Sequence, residues 1–213
     1  MSEILIATRG AGSVLVEAGY ALAGLPLQIE YMDYTAPGPE LARLVRLNPL
    51  RQVPTLLRAD GTVLTESAAI LLHLAETQPQ ARLMPAVDDP RRAEFLRWLF
   101  FINTAIYPTF TYGDKPQQWV EGEAAGKQLR ASTDRRRENC WLQLEASFTP
   151  APWMMGTDFS LLDLYVGVMS HWRPRHIWFG NHCPKLHAVA LEVDAKPELA
   201  DVWKRNFRKT EIA

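Results

Sequence analysis

The pattern of apolar residues changes near residue 78. Before it, short apolar runs alternate with segments of helical periodicity, whereas after residue 90 the apolar residues recur at helical spacing. All seven tryptophans lie after residue 97, so the two parts are also built from different residues. We therefore predict an N-terminal domain over residues 1–77, a proline-containing linker over residues 78–90 and an all-helical domain over residues 91–213.

The N-terminal part has the predicted order βαβαββα. A helix is expected to end before Asn48-Pro49, because the residue before proline avoids the α region. Asp60-Gly61 between two apolar runs predicts a hairpin with a two-residue type I′ turn. The predicted strands are residues 4–8, 27–31, 53–58 and 62–64, and the predicted helices are residues 14–25, 39–47 and 66–77.

The later part is predicted to be helical throughout. Its first helix is expected to stop or bend at Pro108, because proline removes a helix hydrogen bond. The basic run Arg135-Arg136-Arg137 is interpreted as a solvated helix face. The predicted helices are residues 91–107, 117–148, 160–172, 183–194 and 197–208.

Charge and composition exclude several classes of partner. The 23 basic and 24 acidic residues give a net charge of −1, so neither nucleic acid nor an anionic membrane surface is an expected partner. No apolar run approaches the roughly 18 residues of a membrane-spanning helix. The N-terminus lacks the basic leader of a secretory signal, and we therefore expect a cytoplasmic protein.

Neither cysteine nor histidine predicts a metal site. The two cysteines, Cys140 and Cys183, are too few for a disulfide scaffold or a cysteine-based zinc site. Four histidines lie in one stretch, but separations of five or six residues do not place two of them on one helical face. These histidines are His171, His176, His182 and His187.

Pro54 follows Val53 at the start of a predicted strand. Proline cannot donate to a β-ladder, so it needs a special position, such as a turn before the strand. A cis Val53–Pro54 bond there would leave the Val53 main chain free to pair with an extended peptide. The alternative is a trans proline on an edge strand, since only about 5% of X–Pro bonds are cis.

Thr65-Glu66-Ser67 opens the helix that follows the hairpin. Unpaired main-chain N–H groups at a helix N-terminus attract an anion, and the Ser67 hydroxyl adds a donor. The Glu66 carboxylate suits an ammonium group, so the pair fits the two charges of an α-amino acid. The alternative is helix capping, because Thr and Ser are common N-cap residues.

Together these two segments, NPLRQVPTL (residues 48–56) and LTESAAI (residues 64–70), resemble the glutathione-binding stretch of cytosolic glutathione transferases. The resemblance implies an α+β protein with a thioredoxin-like N-terminal domain and an all-α C-terminal domain. It also implies a homodimer that uses glutathione as co-substrate. Val53 would hold the cysteinyl part by its main chain, Glu66 and Ser67 the γ-glutamyl end, and Gln52 or Arg51 the glycyl carboxylate.

The resemblance is nearest to the bacterial beta class, with two departures. Gly12 stands where that class has its catalytic cysteine, and Tyr107 stands where a histidine is usual. The Cys/His chemistry of the class is therefore absent.

Ser13 matches the serine of the serine-type classes, which implies that its hydroxyl stabilises the glutathione thiolate. Its alternative role is to cap the helix beginning at Val14. Arg9 and the helix dipole are further candidates for thiol activation.

In the second domain, Ser160 and Asp163 form a capping-box pattern, to which we assign a structural role at the start of a helix and no role in the site.

The acceptor pocket is expected between the domains, lined by Tyr107, Phe110 and Tyr112. The predicted reaction is attack of glutathione thiolate on a small hydrophobic electrophile. The alternatives are a glutathione-dependent lyase, isomerase or peroxidase, and a non-catalytic interaction module.

Overall fold

The computed structural model describes residues 3–34 and 36–207. The chain divides into two compact units, of which the first comprises Met1–Met84 together with Leu191–Ala213 and the second is Pro85–Ala190. Among the described helices, none is long and apolar enough to cross a membrane.

The first unit contains one four-stranded mixed sheet, which confirms the predicted order βαβαββα and the thioredoxin-like fold. The strands are ordered β2-β1-β3-β4, with β1 parallel to β2 and antiparallel to β3. Its elements before residue 84 are Ile4–Ala7 (β1), Ser13–Leu22 (α1), Gln28–Tyr31 (β2), Pro39–Leu47 (α2), Thr55–Leu57 (β3), Val63–Thr65 (β4) and Ser67–Thr77 (α3).

Helix α1 is the buried helix of this unit. Its residues from Ser13 to Tyr20 are all buried, because the helix lies between the sheet and other helices. Gly19 allows α3 to pack closely, since a Cβ there would lie 2.3 Å from Leu71 Cδ2. This packing holds the C-terminal half of α1 against α3.

The β3–β4 hairpin is present, but its turn is one residue longer than predicted. The Arg58 N–H donates to the Thr62 oxygen at 2.8 Å, and the Gly61 N–H donates to the Arg58 oxygen at 2.9 Å. Within this loop Gly61 is the residue with positive φ, at 85°, whereas a type I′ turn needs two. The Asp60 carboxylate accepts from the Thr62 N–H, which stabilises the longer loop.

The segment from Leu191 onward packs in the first unit, which differs from the predicted domain division. Its last described helix, Ala200–Asn206 (α10), buries Val202 and Trp203 and packs against α1. The periodicity of a helix shows that it has an apolar face, but not which domain covers that face.

The second unit is helical, as predicted, with one irregular stretch. A π-helical turn, Ile102–Ile106, joins two helices without the expected stop at Pro108. Pro108 lies in the first turn of the following helix, where its missing N–H removes no helix bond. The helices Tyr107–Asp114 and Arg175–His182 lie outside the predicted helices, apart from Tyr107 itself. The helices that lie wholly in this unit are Arg92–Phe101 (α4), Tyr107–Asp114 (α5), Glu123–Ser147 (α6), Leu161–Ser170 (α7) and Arg175–His182 (α8), and Pro184–Asp194 (α9) begins in it and ends in the first unit.

Arg137 is buried, which corrects the interpretation of residues 135–137 as a solvated face. Its side chain is 1% exposed, pairs with Asp134 and places its guanidinium 4.3 Å above the Phe110 ring. Burial lowers the pKa of Arg137. The residue shares a helical stripe with Cys140, Trp141 and Leu144, so its burial follows from its position on α6.

The capping box at the start of α7 is present as predicted. The Ser160 hydroxyl accepts from the Leu162 N–H at 3.3 Å, and the Asp163 carboxylate accepts from the Ser160 N–H at 2.8 Å. The same carboxylate accepts from the Met154 N–H at 2.7 Å. Asp163 therefore satisfies main-chain donors of both the helix and the preceding loop.

Candidate functional site

The sheet brings the three predicted ligand-binding segments of the first unit to one end. Ile6 pairs with Thr55, and Thr55 pairs with Thr65. The turn after β1, the residues before β3 and the residues after β4 therefore all extend from the same end of the sheet. We call these segments, residues 9–13, 52–54 and 66–67, the sheet-end site.

The loop before β3 is held by two buried polar side chains that the sequence analysis did not identify. Asn48 Nδ2 donates to the Gln52 oxygen at 3.1 Å and to Thr55 Oγ1 at 3.2 Å. Thr55 Oγ1 donates to the same Gln52 oxygen at 2.9 Å. The Val53–Pro54 bond is cis, as expected. The main chain around Val53 is thus fixed on its inner side by Asn48 and Thr55.

Glu66 has an unusual main-chain conformation at the start of α3. Its φ is 66° and its ψ is 113°, outside the regions that non-glycine residues favour. Such a conformation costs about 1–3 kcal/mol and is found mainly at functional sites. Its side chain is exposed, while Ser67 is buried as the first residue of the helix.

The helix-capping alternative for this segment is wrong. The N-cap of α3 is Glu66, and it makes no side-chain capping bond. Thr65 belongs to β4 and Ser67 to the helix itself, so neither hydroxyl residue occupies the cap. An exposed carboxylate and the first turn of a helix therefore lie together, as binding of an amino-acid group requires.

Ser13 is the first residue of α1 and its side chain is fully buried. Its Oγ donates to the Thr8 oxygen at 3.0 Å and accepts from the Thr8 N–H at 3.1 Å. It therefore links the end of β1 to α1 and does not cap a helix starting at Val14, which was the alternative role. A role of the hydroxyl toward a ligand stays a prediction.

Arg9 lies in the same turn and contacts the end of α10. Its guanidinium carbon is 4.1 Å from the centre of the Tyr31 ring, and its Nη1 donates to the Arg205 oxygen at 2.6 Å. The Arg9 guanidinium is thus already in contact with the Tyr31 ring and the Arg205 oxygen. A ligand that also bound Arg9 would have to use the remaining N–H groups of the guanidinium.

The residues predicted for the acceptor pocket fall into two groups in the helical unit. The Tyr107 and Phe110 rings lie 5.8 and 5.3 Å from the Trp172 ring, which the sequence analysis did not include. Tyr112 packs instead on Trp119, at 4.8 Å. Phe110 is buried, whereas Tyr112 is exposed, so Tyr107 and Phe110 form one aromatic cluster and Tyr112 lies outside it.

Three of the four histidines of the helical unit come together despite their spacing. The His171 and His176 rings are 4.7 Å apart, and the His176 and His187 rings are 5.5 Å apart. His176 Nε2 lies 3.2 Å from Ser170 Oγ. Packing between separate helices brings the rings together, which periodicity along one helix could not predict.

Comparison with known proteins settles the family. Residues 16–77 match the family model described as the glutathione S-transferase N-terminal domain. The chain is 34% identical over 198 residues to an uncharacterized GST-like protein, YncG, of Escherichia coli strain K12, covering 92% of this chain and 95% of that protein. This chain belongs to the glutathione S-transferase family.

Solved structures of glutathione transferases have the same fold over nearly the whole chain. A glutathione transferase from Methylococcus capsulatus is 30% identical, covers 95% of this chain and 97% of its own, and superposes with a TM-score of 0.74. A glutathione transferase homolog from Sulfitobacter, whose crystal contains bound glutathione, is 24% identical, covers 95% and 97%, and has a TM-score of 0.83. In this member of the family, the sheet-end site lies in the thioredoxin-like domain.

Proposed function

We propose that this protein binds glutathione at the sheet-end site and catalyses attack of its thiolate on a carbon of a small hydrophobic electrophile, forming a C–S bond as the leaving group departs or, in an addition, as the acceptor takes up a proton. The supporting observation is the strand register, in which Ile6, Thr55 and Thr65 are aligned across three strands. This register brings together the start of α1 and the two segments that we propose for pairing with a peptide and for binding an amino-acid group. Glutathione needs all three, because it is an extended tripeptide with an α-amino acid end and a reactive thiol.

Each part of glutathione has a proposed partner. The Val53 main chain pairs with the cysteinyl unit, which β-type pairing with an extended peptide allows. The exposed Glu66 carboxylate takes the γ-glutamyl ammonium group, and Ser67 with the first turn of α3 takes the carboxylate. Gln52 or Arg51, both exposed at the loop, reaches the glycyl carboxylate.

Thiol activation is proposed at the turn after β1, with Ser13 as the donor to sulfur. The hydroxyl must first rotate away from the Thr8 oxygen, which sacrifices a neutral hydrogen bond of about 0.5–1.5 kcal/mol. A charge-assisted bond to a thiolate contributes about 1.5–3 kcal/mol, so the net gain is on the order of 1 kcal/mol. A gain of this size lowers the thiol pKa by about one unit.

The acceptor is proposed to contact the aromatic cluster of Tyr107 and Phe110, with Tyr112 as a more distant wall. Gly12 and Tyr107 stand where the beta class has cysteine and histidine, which supports serine-type activation over a Cys/His mechanism. The resemblance also leads us to propose a cytoplasmic homodimer.

Calorimetric titration with glutathione, combined with thiolate absorbance of the bound molecule against pH, tests the proposal. We expect saturable binding to the wild type and a bound-thiol pKa below the free value of about 8.5. The Ser13→Ala variant should raise that pKa by about one unit, and Tyr107→Phe should leave it unchanged. A shift in the tyrosine variant alone would reverse the assignment, and absence of binding to the wild type would refute the function.

The contacts of Ser13 favour a second function, which is binding of glutathione without activation of its thiol. Because its proton is donated to the Thr8 oxygen and its side chain is fully buried, the chain could bind glutathione without activating it. Saturable binding with an unshifted thiol pKa would support this non-catalytic alternative.

The hydrogen bonds of Asn48 in the loop before β3 lead to a prediction about glutathione affinity. In Asn48→Ala the Gln52 oxygen and Thr55 Oγ1 lose their amide donor, so the Val53 main chain is less well fixed. We expect glutathione affinity to fall about 5-fold, equivalent to roughly 1 kcal/mol for a lost hydrogen bond. Calorimetry measures this, and Arg46→Ala on the preceding helix serves as the control. Equal affinities in all three proteins would contradict the role of Asn48.

A further inference from the structure

The C-terminal end of α10 contacts the turn between β1 and α1. We call residues 9–12 the thiol turn, because the proposed function places the glutathione sulfur beside it. Arg9 Nη1 donates to the Arg205 oxygen at 2.6 Å, and the Gly10 N–H donates to Asn206 Oδ1 at 3.2 Å. Two consecutive residues of α10 thus hold two consecutive residues of a turn that lies 196 positions earlier in the chain.

Only one orientation of the Asn206 side-chain amide pairs donors with acceptors on both of its sides. Its Nδ2 donates to Glu17 Oε2 at 3.1 Å and to the Val202 oxygen at 3.0 Å. Both groups are acceptors, so the amide nitrogen must face them and Oδ1 must face the Gly10 N–H. The side chain therefore ties the thiol turn to α1 and α10 at once.

Glu17 is the anchor of this arrangement. It is 2% exposed, and its Oε2 also accepts from the Tyr31 hydroxyl at 2.9 Å and lies 3.6 Å from Arg205 Nε. Among the described residues, its Oε1 has no hydrogen-bond partner. Burial raises the pKa of Glu17, while the Tyr31, Asn206 and Arg205 donors oppose that rise. Asn206 is thus one of a few groups that compensate a buried carboxyl.

We propose that Asn206 is a positioning residue for thiol activation, acting through Gly10 to place the thiol turn against the glutathione sulfur. The inference rests on the proposed function. Glutathione is held by Val53, Glu66 and Ser67 on other segments, so Asn206 affects activation more than affinity. Displacement of an activating group by about 1 Å can cost on the order of 100-fold in rate.

The first test compares Asn206→Leu with the wild type. Leucine has a similar volume but neither a donor nor an acceptor, so the Gly10 N–H loses its acceptor and Glu17 loses one of its donors. We expect kcat to fall about 10-fold and the bound-thiol pKa to rise by about one unit, while the dissociation constant of glutathione changes less than about 3-fold. Unchanged kcat and thiol pKa in this variant would overturn the proposal.

Two controls separate positioning from general stability. Val202→Ala weakens the packing of α10 without removing a polar group of the network, and Lys204→Ala changes an exposed residue of the same helix. Both should keep the thiol pKa of the wild type. A Val202→Ala protein with the same rise in thiol pKa as Asn206→Leu would show that Asn206 acts only through the stability of α10.

A reversal of hydrogen-bond polarity gives a rescue experiment. In Asn206→Asp the new carboxylate keeps an acceptor for the Gly10 N–H but faces Glu17 and the Val202 oxygen without a donor, so the defect should persist. Adding Glu17→Gln supplies that donor from the other side. We expect the double variant to recover part of the lost kcat, because the Val202 oxygen still lacks its donor, and failure to recover any would contradict the proposed route through Glu17 and Gly10.

Amide hydrogen exchange of the thiol turn tests the role of Asn206 independently of glutathione binding. Amide hydrogen exchange at Ala11, Gly12 and Ser13 in ligand-free protein should be at least about 10-fold faster in Asn206→Leu than in Val202→Ala. If the wild type binds no glutathione, the proposed function fails. Exchange that is equal in the two variants overturns the positioning role in either case.

Discussion

The Glu66→Gln and Ser67→Ala variants are expected to bind glutathione at least about 10-fold more weakly than the wild type. Each loses a hydrogen bond to a charged group of the γ-glutamyl end, and such bonds contribute about 1.5–3 kcal/mol, or roughly 10- to 150-fold in affinity. Isothermal titration with glutathione measures the effect, and urea unfolding checks that both variants are folded.

Glu40→Gln is the matched control for Glu66→Gln. Glu40 is also an exposed carboxylate at the start of a helix of the first unit, in the first turn of α2. The two changes alter net charge equally, so a general electrostatic effect would appear in both. Wild-type affinity in both Glu66→Gln and Ser67→Ala would refute the γ-glutamyl assignment, whereas loss of turnover alone would assign these residues to the chemistry.

The Asp163→Ala variant should lose about 2–6 kcal/mol of unfolding free energy. Its carboxylate accepts from the Met154 and Ser160 N–H groups, and each buried donor left without a partner costs about 1–3 kcal/mol. Asp163→Asn should be milder, because it retains an acceptor and avoids burial of a charge; burial raises the pKa of Asp163 to about 6. Urea unfolding followed by far-UV circular dichroism gives the free energies.

Asp158→Ala provides the comparison for a surface carboxylate. Asp158 is exposed and pairs with Arg91 at 3.0 Å, and exposed pairs of this kind contribute about 0–1 kcal/mol. A loss in Asp163→Ala no larger than in Asp158→Ala would mean that the capping box contributes little to the stability of the helical unit.

The parts of the fold that follow from local chemistry could be predicted from the sequence. Asp60-Gly61 marked the hairpin and Ser160 with Asp163 marked a helix start, because turns and caps depend on residues a few positions apart. The boundaries of α2 were predicted to the residue for the same reason, since Asn48-Pro49 ends it. The order of strands and helices along the first unit was predicted as well, because short apolar runs alternate there with segments of helical periodicity.

The rest depends on contacts between residues far apart in the chain. The charge of Arg137 suggested solvent, yet its place on an apolar stripe of α6 buries it over Phe110. The role of Asn48 is visible only once the loop brings it to Gln52 and Thr55. Ser13 was assigned from position in a motif, and motif position does not show that its proton is donated to Thr8.

The packing of α10 against α1 also bears on how the protein is made. The helix that covers part of α1 is synthesised after the second unit, so the α/β part of the first unit emerges from the ribosome before one of its own helices exists. At about 5–20 residues per second, the α/β segment waits several seconds for that piece. Closing so long a loop adds entropy cost only slowly with length, so the final docking of α10 is thermodynamically accessible although it comes late. Until then the turn lacks its hydrogen bonds to Arg205 and Asn206, so the sheet-end site is fully held only after Asn206 has been synthesised.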